Sequence, residues 1–381
     1  MLASVLIQEC LNEGIDFFTG VPDSLLKGLC NELYSLYGTD SSRHIVAHNE
    51  GGAIALCAGH YLAIGKPGLC YMQNSGIGNA VNPLTSLMDT DVYALPCLLV
   101  IGWRGEPGIK DEPQHVRQGA VTLGQLNLLN IPYFILSADT SDESFRNNFQ
   151  KLLPAMKEGR TAAIVVRKGA LKTDKAPDYS NPYRLSREKA AGIILSEASS
   201  DDIFVSTTGK LSREVFELRE AASAGHEKDF LTVGSMGHAG MIALQIATDK
   251  PNRTIWCLDG DGAFLMHLGA LPVIANRGPK NLIHVVINNG AHETVGGMPV
   301  CSCSLNITGI AAAAGYPLVL KADSEETLRE ALRQARSADG PVLIEVLCAC
   351  GARDDLGRPT TTPVQNRDAF MHALTSNITK N

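Results

Sequence analysis

The sequence points to an α/β protein made of two doubly wound parallel-sheet domains with no middle domain. Three observations carry this. Twelve short runs of β-branched and aliphatic residues recur along the 381 residues, segments of helical length separate them, and a polar, proline-bearing stretch divides them six and six. Runs without polar alternation suit strands buried on both faces, as in a parallel sheet covered by helices. Strand and helix in alternation imply layered α/β units.

The first-half runs are DFFTGV (16–21), HIVAH (44–48), GLCYMQ (68–73), CLLVIGW (97–103), IPYFIL (131–136) and AAIVVR (162–167). Those of the second half are DIFVST (202–207), DFLTVG (229–234), TIWCLDG (254–260), LIHVVIN (282–288), YPLVLKA (316–322) and PVLIEVL (341–347). The stretch between them, 168–186, is polar and holds Pro177 and Pro182. This predicts one domain over 1–168, a linker over 169–186 and a second domain over 187–381.

The N-terminal MLASVLIQECLNEG has no basic leader and reads as an amphipathic first helix. No apolar run reaches the roughly 18 residues of a membrane span. The ten cysteines are scattered apart from Cys301-x-Cys303 and Cys348-x-Cys350, which suggests reduced, mostly buried thiols and a cytoplasmic protein. A net charge of −7 without a basic run argues against a nucleic-acid surface. A small anionic substrate would then need a local group of cations. No strand is followed by GxGxxG with an acidic residue about 20 positions on, which argues against a dinucleotide-dependent oxidoreductase.

In open parallel sheets, ligands gather at the carboxyl ends of the strands. There the chain carries CLDGDGAF (257–264), with Asp261 between Gly260 and Gly262, and INN (287–289) after the next strand. Glycines allow a sharp turn and close approach to a ligand. A carboxylate beside a helix N-terminus makes sense if a cation bridges it to an anion, and Mg²⁺ takes a few protein oxygens plus phosphate and water. Asn289 could supply a further oxygen. From the loops alone, ordinary Asp–Gly and Asn turns remain the alternative.

GDG at 260–262 and NN at 288–289, separated by 263–287 and each preceded by an apolar strand, resembles the signature of thiamine-diphosphate-dependent enzymes. The resemblance implies Mg²⁺ held by Asp261, Asn289 and the carbonyl of Ala291, with Asn288 and Asp259 as neighbours. It places Thr208, Gly209, Gly262 and Ala263 at the diphosphate. Met236 matches the bulky residue that bends the cofactor, and Gly234 the carbonyl that accepts from its 4′-amino group. Glu50, in HIVAHNEGGAIALCAGH (44–60), matches the activating acid. A carboxyl at N1′ of the aminopyrimidine favours the imino tautomer, whose nitrogen removes the C2 proton, and a buried Glu with a raised pKa can hold the proton involved. Taken alone, a Glu opening a helix is an ordinary dipole partner. The stretch QNSGIGNAVNPLTSL (73–87) is similar to the glycine-rich turn of the pyrimidine-binding domain.

Over essentially the whole chain, the resemblance is to 2-keto acid decarboxylases of this family whose substrate carries a phosphonate. FTGVPDSLLKGL (18–29), IGWRGEPGIKDEPQHVRQG (101–119), STTGKLSRE (206–214) and INNGAHETVGGMP (287–299) carry it. It implies conversion of 3-phosphonopyruvate to phosphonoacetaldehyde and CO₂ in phosphonate biosynthesis of the 2-aminoethylphosphonate type. The alternative is the branch that decarboxylates sulfopyruvate to sulfoacetaldehyde. The family also implies a homodimer, with active sites at the subunit interface.

The 101–119 loop offers Arg104, Lys110, His115 and Arg117, with Arg104 first for phosphonate contact and His115 as a proton shuttle. Lys210 is a second substrate candidate. Asp23 matches an active-site Asp of related decarboxylases and also suits a helix N-cap. Val295 stands where many relatives carry a catalytic Glu, with His292 and Glu293 nearby.

Overall fold

The computed structural model describes residues 1–375; residues 376–381, at the end of the expected second domain, and the side chains of Thr294 and Cys303 lie outside the described residues. The chain divides into two compact units, Met1–Asp178 and Tyr179–Asn381.

The first unit holds β1 (Phe18–Gly20), β2 (His44–Val46), β3 (Gly68–Gln73), β4 (Cys97–Gly102), β5 (Tyr133–Leu136) and β6 (Ala162–Val166). They form one parallel sheet in the order β2-β1-β3-β4-β6-β5. The second unit holds β7 (Ile203–Ser206), β8 (Asp229–Leu231), β9 (Ile255–Gly260), β10 (Leu282–Asn288), β11 (Ala291–His292), β12 (Met298–Pro299), β13 (Leu318–Ala322) and β14 (Val342–Leu347). Its six-stranded parallel sheet runs β13-β14-β10-β9-β7-β8. Counted from its own first strand, each sheet reads 2-1-3-4-6-5. All twelve apolar runs are strands, and both sheets are parallel, as expected from the sequence.

The inner strands are buried on both faces, which explains their largely apolar character, while β2, β5 and β13 are only partly buried. In the second unit, Phe204, Trp256, Leu258, Ile283 and Val285 pack in one core, while Ile203, Val205, Ile255, Cys257 and Val286 pack in another. The period of two sends neighbours along each strand to opposite layers. The covering helices follow the complementary period. The Glu325–Arg336 helix buries Leu328, Ala331, Leu332 and Ala335, starts on a Ser324 capping box and carries acids in its first turn and arginines in its last.

The joining stretch is ordered by each unit separately. Lys172 accepts from Ala3 N at 2.8 Å and gives its own N–H to Met1 O at 3.0 Å, and Lys175 O accepts from Asn31 Nδ2 at 3.0 Å. On the other side, Leu185 O accepts from Ala349 N at 2.8 Å. Its proline content marked a boundary, while its backbone groups found partners. The short antiparallel ribbon of β11 and β12 was not expected; two-residue strands are too brief to show a period. Among the described residues, no helix is long and apolar enough to cross a membrane.

Candidate active site

The order 2-1-3-4-6-5 reverses direction between strands 1 and 3, and at such a reversal the strand ends part to leave a crevice. In the second unit these strands are β7 and β9. Thr207 follows β7, and Gly260 ends β9 with its α-carbon hydrogen pointing toward Thr207 Cγ2. Thr208, Gly209 and Lys210 follow on one side, and Asp261, Gly262 and Ala263 on the other.

Asp261 is buried, and three donors converge on its carboxylate. Gly262 N gives to Oδ1 at 2.7 Å; Gly290 N and Ser302 Oγ give to Oδ2 at 2.8 and 2.9 Å. Burial pushes its pKa up to about 6 against the lowering effect of these bonds. A carboxylate offers about four acceptor positions, so one remains for a cation. Asn289 is buried beside it, with Oδ1 accepting from Ala291 N at 3.0 Å and a lone pair to spare. The Asn289 carbonyl, by contrast, is occupied by Asn181 Nδ2 at 2.8 Å and the Cys350 thiol at 3.3 Å. Carboxylate, amide oxygen and the nearby Ala291 carbonyl make an all-oxygen donor set, which fits a hard divalent cation.

Two neighbours of this set turn away. Asn288 gives Nδ2 to Glu345 Oε1 at 2.9 Å and accepts from Gly290 N at 3.1 Å. Asp259 accepts from Gly260 N at 3.0 Å and faces His284 Nε2 at 3.5 Å, while Tyr316 Oη lies 3.2 Å from His284 Nδ1.

A cradle opens above Gly262. A Cβ there would lie 3.2 Å from His292 Cε1 and 3.4 Å from Met236 Cε, so a larger residue would take up space that these side chains border. Met236 sits in a loop where Gly234, Ser235 and Gly237 all have left-handed backbones, with φ of 73, 46 and 85°. For Ser235 that conformation costs of order 1 kcal/mol, strain of the kind that collects at ligand-binding turns. Gly234 N gives to Thr208 Oγ1 at 3.0 Å, tying this loop to the end of β7. Lys210 Nζ lies 3.5 Å from Glu293 Oε2, and Glu293 also accepts from Gly351 N at 2.6 Å.

The first unit repeats the arrangement at β1 and β3. Asp23, after β1, is fully buried and accepts from Gln73 Nε2 at 2.7 Å and Leu25 N at 2.9 Å. Burial raises its pKa, against these bonds and the nearby Arg104 charge. A Cβ on Gly102, at the end of β4, would run into Asp23 Oδ2. Glu50 opens the Glu50–Ile64 helix, whose N-cap Asn49 accepts from Gly51 N and Gly52 N. Burial raises its pKa too, opposed by one side-chain donor, Asn79 Nδ2 at 2.7 Å from Oε2. The other oxygen, Oε1, is 2.5 Å from where a Cβ on Gly76 would lie. Residues 73–79 therefore touch Asp23 through Gln73 and Glu50 through Gly76 and Asn79.

Arg104 is held on all sides. Its Nε and Nη2 give to Asp111 at 2.8 and 2.5 Å, and Nη1 gives to Ser24 Oγ at 2.9 Å. Its backbone N and O bond Asn74 at 3.2 and 2.8 Å. A guanidinium has five N–H donors, so two remain for a ligand. Lys110 and Arg117 are exposed, and His115 is buried in the first turn of the Pro113–Leu128 helix. The expected 101–119 loop thus ends at Glu112. Gln73, Asn79, Ser302 and Asn181 were not singled out from the sequence. Gln73 was within reach, since it ends an apolar run.

A family model described as the thiamine pyrophosphate enzyme N-terminal TPP binding domain matches residues 1–126, and its C-terminal counterpart matches 208–346. The phosphonopyruvate decarboxylase of Streptomyces viridochromogenes is 34% identical over 390 residues, covering 98% of this chain and 95% of the relative. That of Streptomyces hygroscopicus is also 34% identical, covering 98% and 94%. The sulfopyruvate decarboxylase of Methanosarcina acetivorans is 28% identical over 371 residues, covering 89% of each. With both cofactor-binding halves matched and two relatives aligned end to end, the chain belongs to the phosphonopyruvate decarboxylase family of thiamine pyrophosphate enzymes.

Proposed function

We propose that this protein decarboxylates 3-phosphonopyruvate to phosphonoacetaldehyde and CO₂, using thiamine diphosphate and Mg²⁺. The observation that carries the reading is the end-to-end alignment with phosphonopyruvate decarboxylases of a chain whose second unit buries Asp261 among three donors and whose first unit buries Glu50 against Asn79.

When bound, thiamine diphosphate supplies the nucleophilic carbon and the electron sink that let the carboxylate leave as CO₂. The residues of this chain bind, orient and protonate. Asp261, Asn289 and the Ala291 carbonyl hold Mg²⁺, and Thr208, Gly209, Gly262 and Ala263 line the diphosphate. Met236 and the Gly234 carbonyl orient the pyrimidine end. Glu50 keeps a proton on Oε1, the oxygen that Asn79 leaves free, for the aminopyrimidine. Asp23 is a second proton-holding carboxyl, and Arg104 offers its two spare N–H groups to the phosphonate. Lys210 shares its charge with Glu293 and stands second for substrate contact. His115 completes the reading as a proton shuttle. A homo-oligomer in the cytoplasm belongs to the same proposal, and light scattering tests the assembly.

The deciding assay follows CO₂ release from phosphonopyruvate, sulfopyruvate and pyruvate side by side, with both cofactors present. Fastest release from phosphonopyruvate is expected. Preference for sulfopyruvate would move the substrate to the sulfonate branch, and no release from any would overturn the reaction.

A further inference from the structure

We infer that Glu345 and Asn288 are positioning residues that set the Asn289–Gly290–Ala291 turn to receive its cation; this rests on the metal reading proposed above. An asparagine amide has one donor end and one acceptor end, and the surroundings decide which faces where. Glu345 lies on β14, in register beside Val286 of β10, and is 1% exposed. Its Oε2 pairs with Lys321 Nζ at 3.2 Å, and its Oε1 accepts from Asn288 Nδ2 at 2.9 Å. A carboxylate only accepts, so Nδ2 must face Glu345.

Asn288 Oδ1 is thereby turned to Gly290 N, at 3.1 Å. The same N–H reaches Asp261 Oδ2 at 2.8 Å. Glu345, Asn288, Gly290 and Asp261 thus form one chain of hydrogen bonds that ends on the carboxylate assigned to the metal. Flipping the amide would point N–H at N–H and push Gly290 from the turn. Gly290 has a φ of 69°, a left-handed conformation that fixes the direction of the neighbouring Asn289 and Ala291 carbonyls. A small cavity of about 30 Å³ lies against Asn288, Gly290, Ser302, Lys321 and Glu345. The two ends of an amide have nearly the same outline, so hydrogen bonding rather than packing decides its orientation.

The test uses the full-length apoprotein and measures the Mg²⁺ concentration needed for half-maximal thiamine diphosphate binding by calorimetry, with the thermal midpoint of each apoprotein recorded alongside. Glu345→Leu is expected to raise that concentration roughly tenfold. Glu345→Gln is expected to stay within about twofold, because its amide oxygen can still accept from Asn288. Should Glu345→Leu not fold, Asn288→Ala is expected to show the same loss with Glu345 still paired to Lys321. Wild-type Mg²⁺ affinity in Glu345→Leu or Asn288→Ala overturns the inference. So does a loss in Glu345→Gln as large as in Glu345→Leu, which would make the residue a generic core carboxylate. If the wild type itself binds the cofactor without Mg²⁺, the metal reading fails first and takes this inference with it.

Discussion

Glu50→Gln separates hydrogen bonding from proton transfer at the first unit's buried carboxyl. The surroundings leave little room for a change of shape, since a Cβ on Gly76 would lie 2.5 Å from Glu50 Oε1. Glutamine has the same outline. Its carbonyl can accept from Asn79 Nδ2, as Oε2 does at 2.7 Å, leaving the NH₂ group where Oε1 stood. That group donates a hydrogen bond but cannot give up or take back a proton. General acid–base catalysis contributes about 10²–10⁴-fold, so kcat should fall by about that factor while cofactor affinity stays near wild type. Stability gives an independent check. Burial raises the folded-state pKa of Glu50, so its contribution is fully present below the unfolded value and is lost as pH rises through the folded one. Relative to wild type, the variant should therefore become more stable as pH rises from about 4.5, the ordinary value for Glu, up to the raised folded value. Steady-state CO₂ release, cofactor calorimetry and urea unfolding across pH are the assays. A kcat within tenfold of wild type, or cofactor binding lost as fully as turnover, would refute the reasoning.

Asp261→Ala should abolish Mg²⁺-dependent cofactor binding, and an unchanged affinity in calorimetry would place the cation elsewhere. Arg104→Ala should raise KM for phosphonopyruvate at least tenfold more than for pyruvate, and an equal rise would remove Arg104 from phosphonate recognition. His44 is buried beside Tyr71 Oη at 2.9 Å, and burial lowers its pKa from the ordinary 6.5 to about 4 against the raising effect of its bond with Gly38 O at 2.5 Å. The unfolded chain takes up that proton first, so wild type should lose about 2–3 kcal/mol more stability than His44→Gln between pH 7.5 and 4.5 in urea titrations; parallel losses in both proteins would count against it.

Strand identity was readable because the inner strands of each sheet are buried on both faces, which writes itself into the sequence as a run of apolar residues. The β11–β12 ribbon left no such trace. In each unit it was the resemblance to the thiamine-diphosphate signature, its motifs and their spacing together, that pointed to Asp261, Asn289, Met236 and Glu50. The residues that hold those side chains in place were not readable in the same way. Asp111 bonds Arg104 from seven positions away, Ser302 reaches Asp261 across 41, and Asn79 meets Glu50 across 29. Such partners are chosen by the fold, and nothing in their local sequence separates them from any loop Asp, Ser or Asn. Arg104 shows the consequence. The sequence displayed a cation in a loop, whereas the structure shows a guanidinium with a fixed orientation and most of its charge already answered.

The shared strand order explains how two halves without a short repeat put carboxyl groups at matching places. Each sheet opens a crevice where its order reverses, and each places an Asp there: Asp23 beside β1 and Asp261 after β9. The surroundings then assign different chemistry. Asp261 receives three donors and keeps one acceptor position, though burial still raises its pKa to about 6. Glu50 receives one side-chain donor, so burial goes largely unanswered and the protonated form gains. Asp23 receives Gln73 Nε2 and the backbone N–H groups of Leu25 and Ser24 and has the Arg104 charge nearby, yet it is fully buried and its pKa is still raised. All three carboxyls are buried with raised pKa values, Asp261 to about 6, so under the proposed reading it is the cation that would hold Asp261 charged while Glu50 and Asp23 keep their protons.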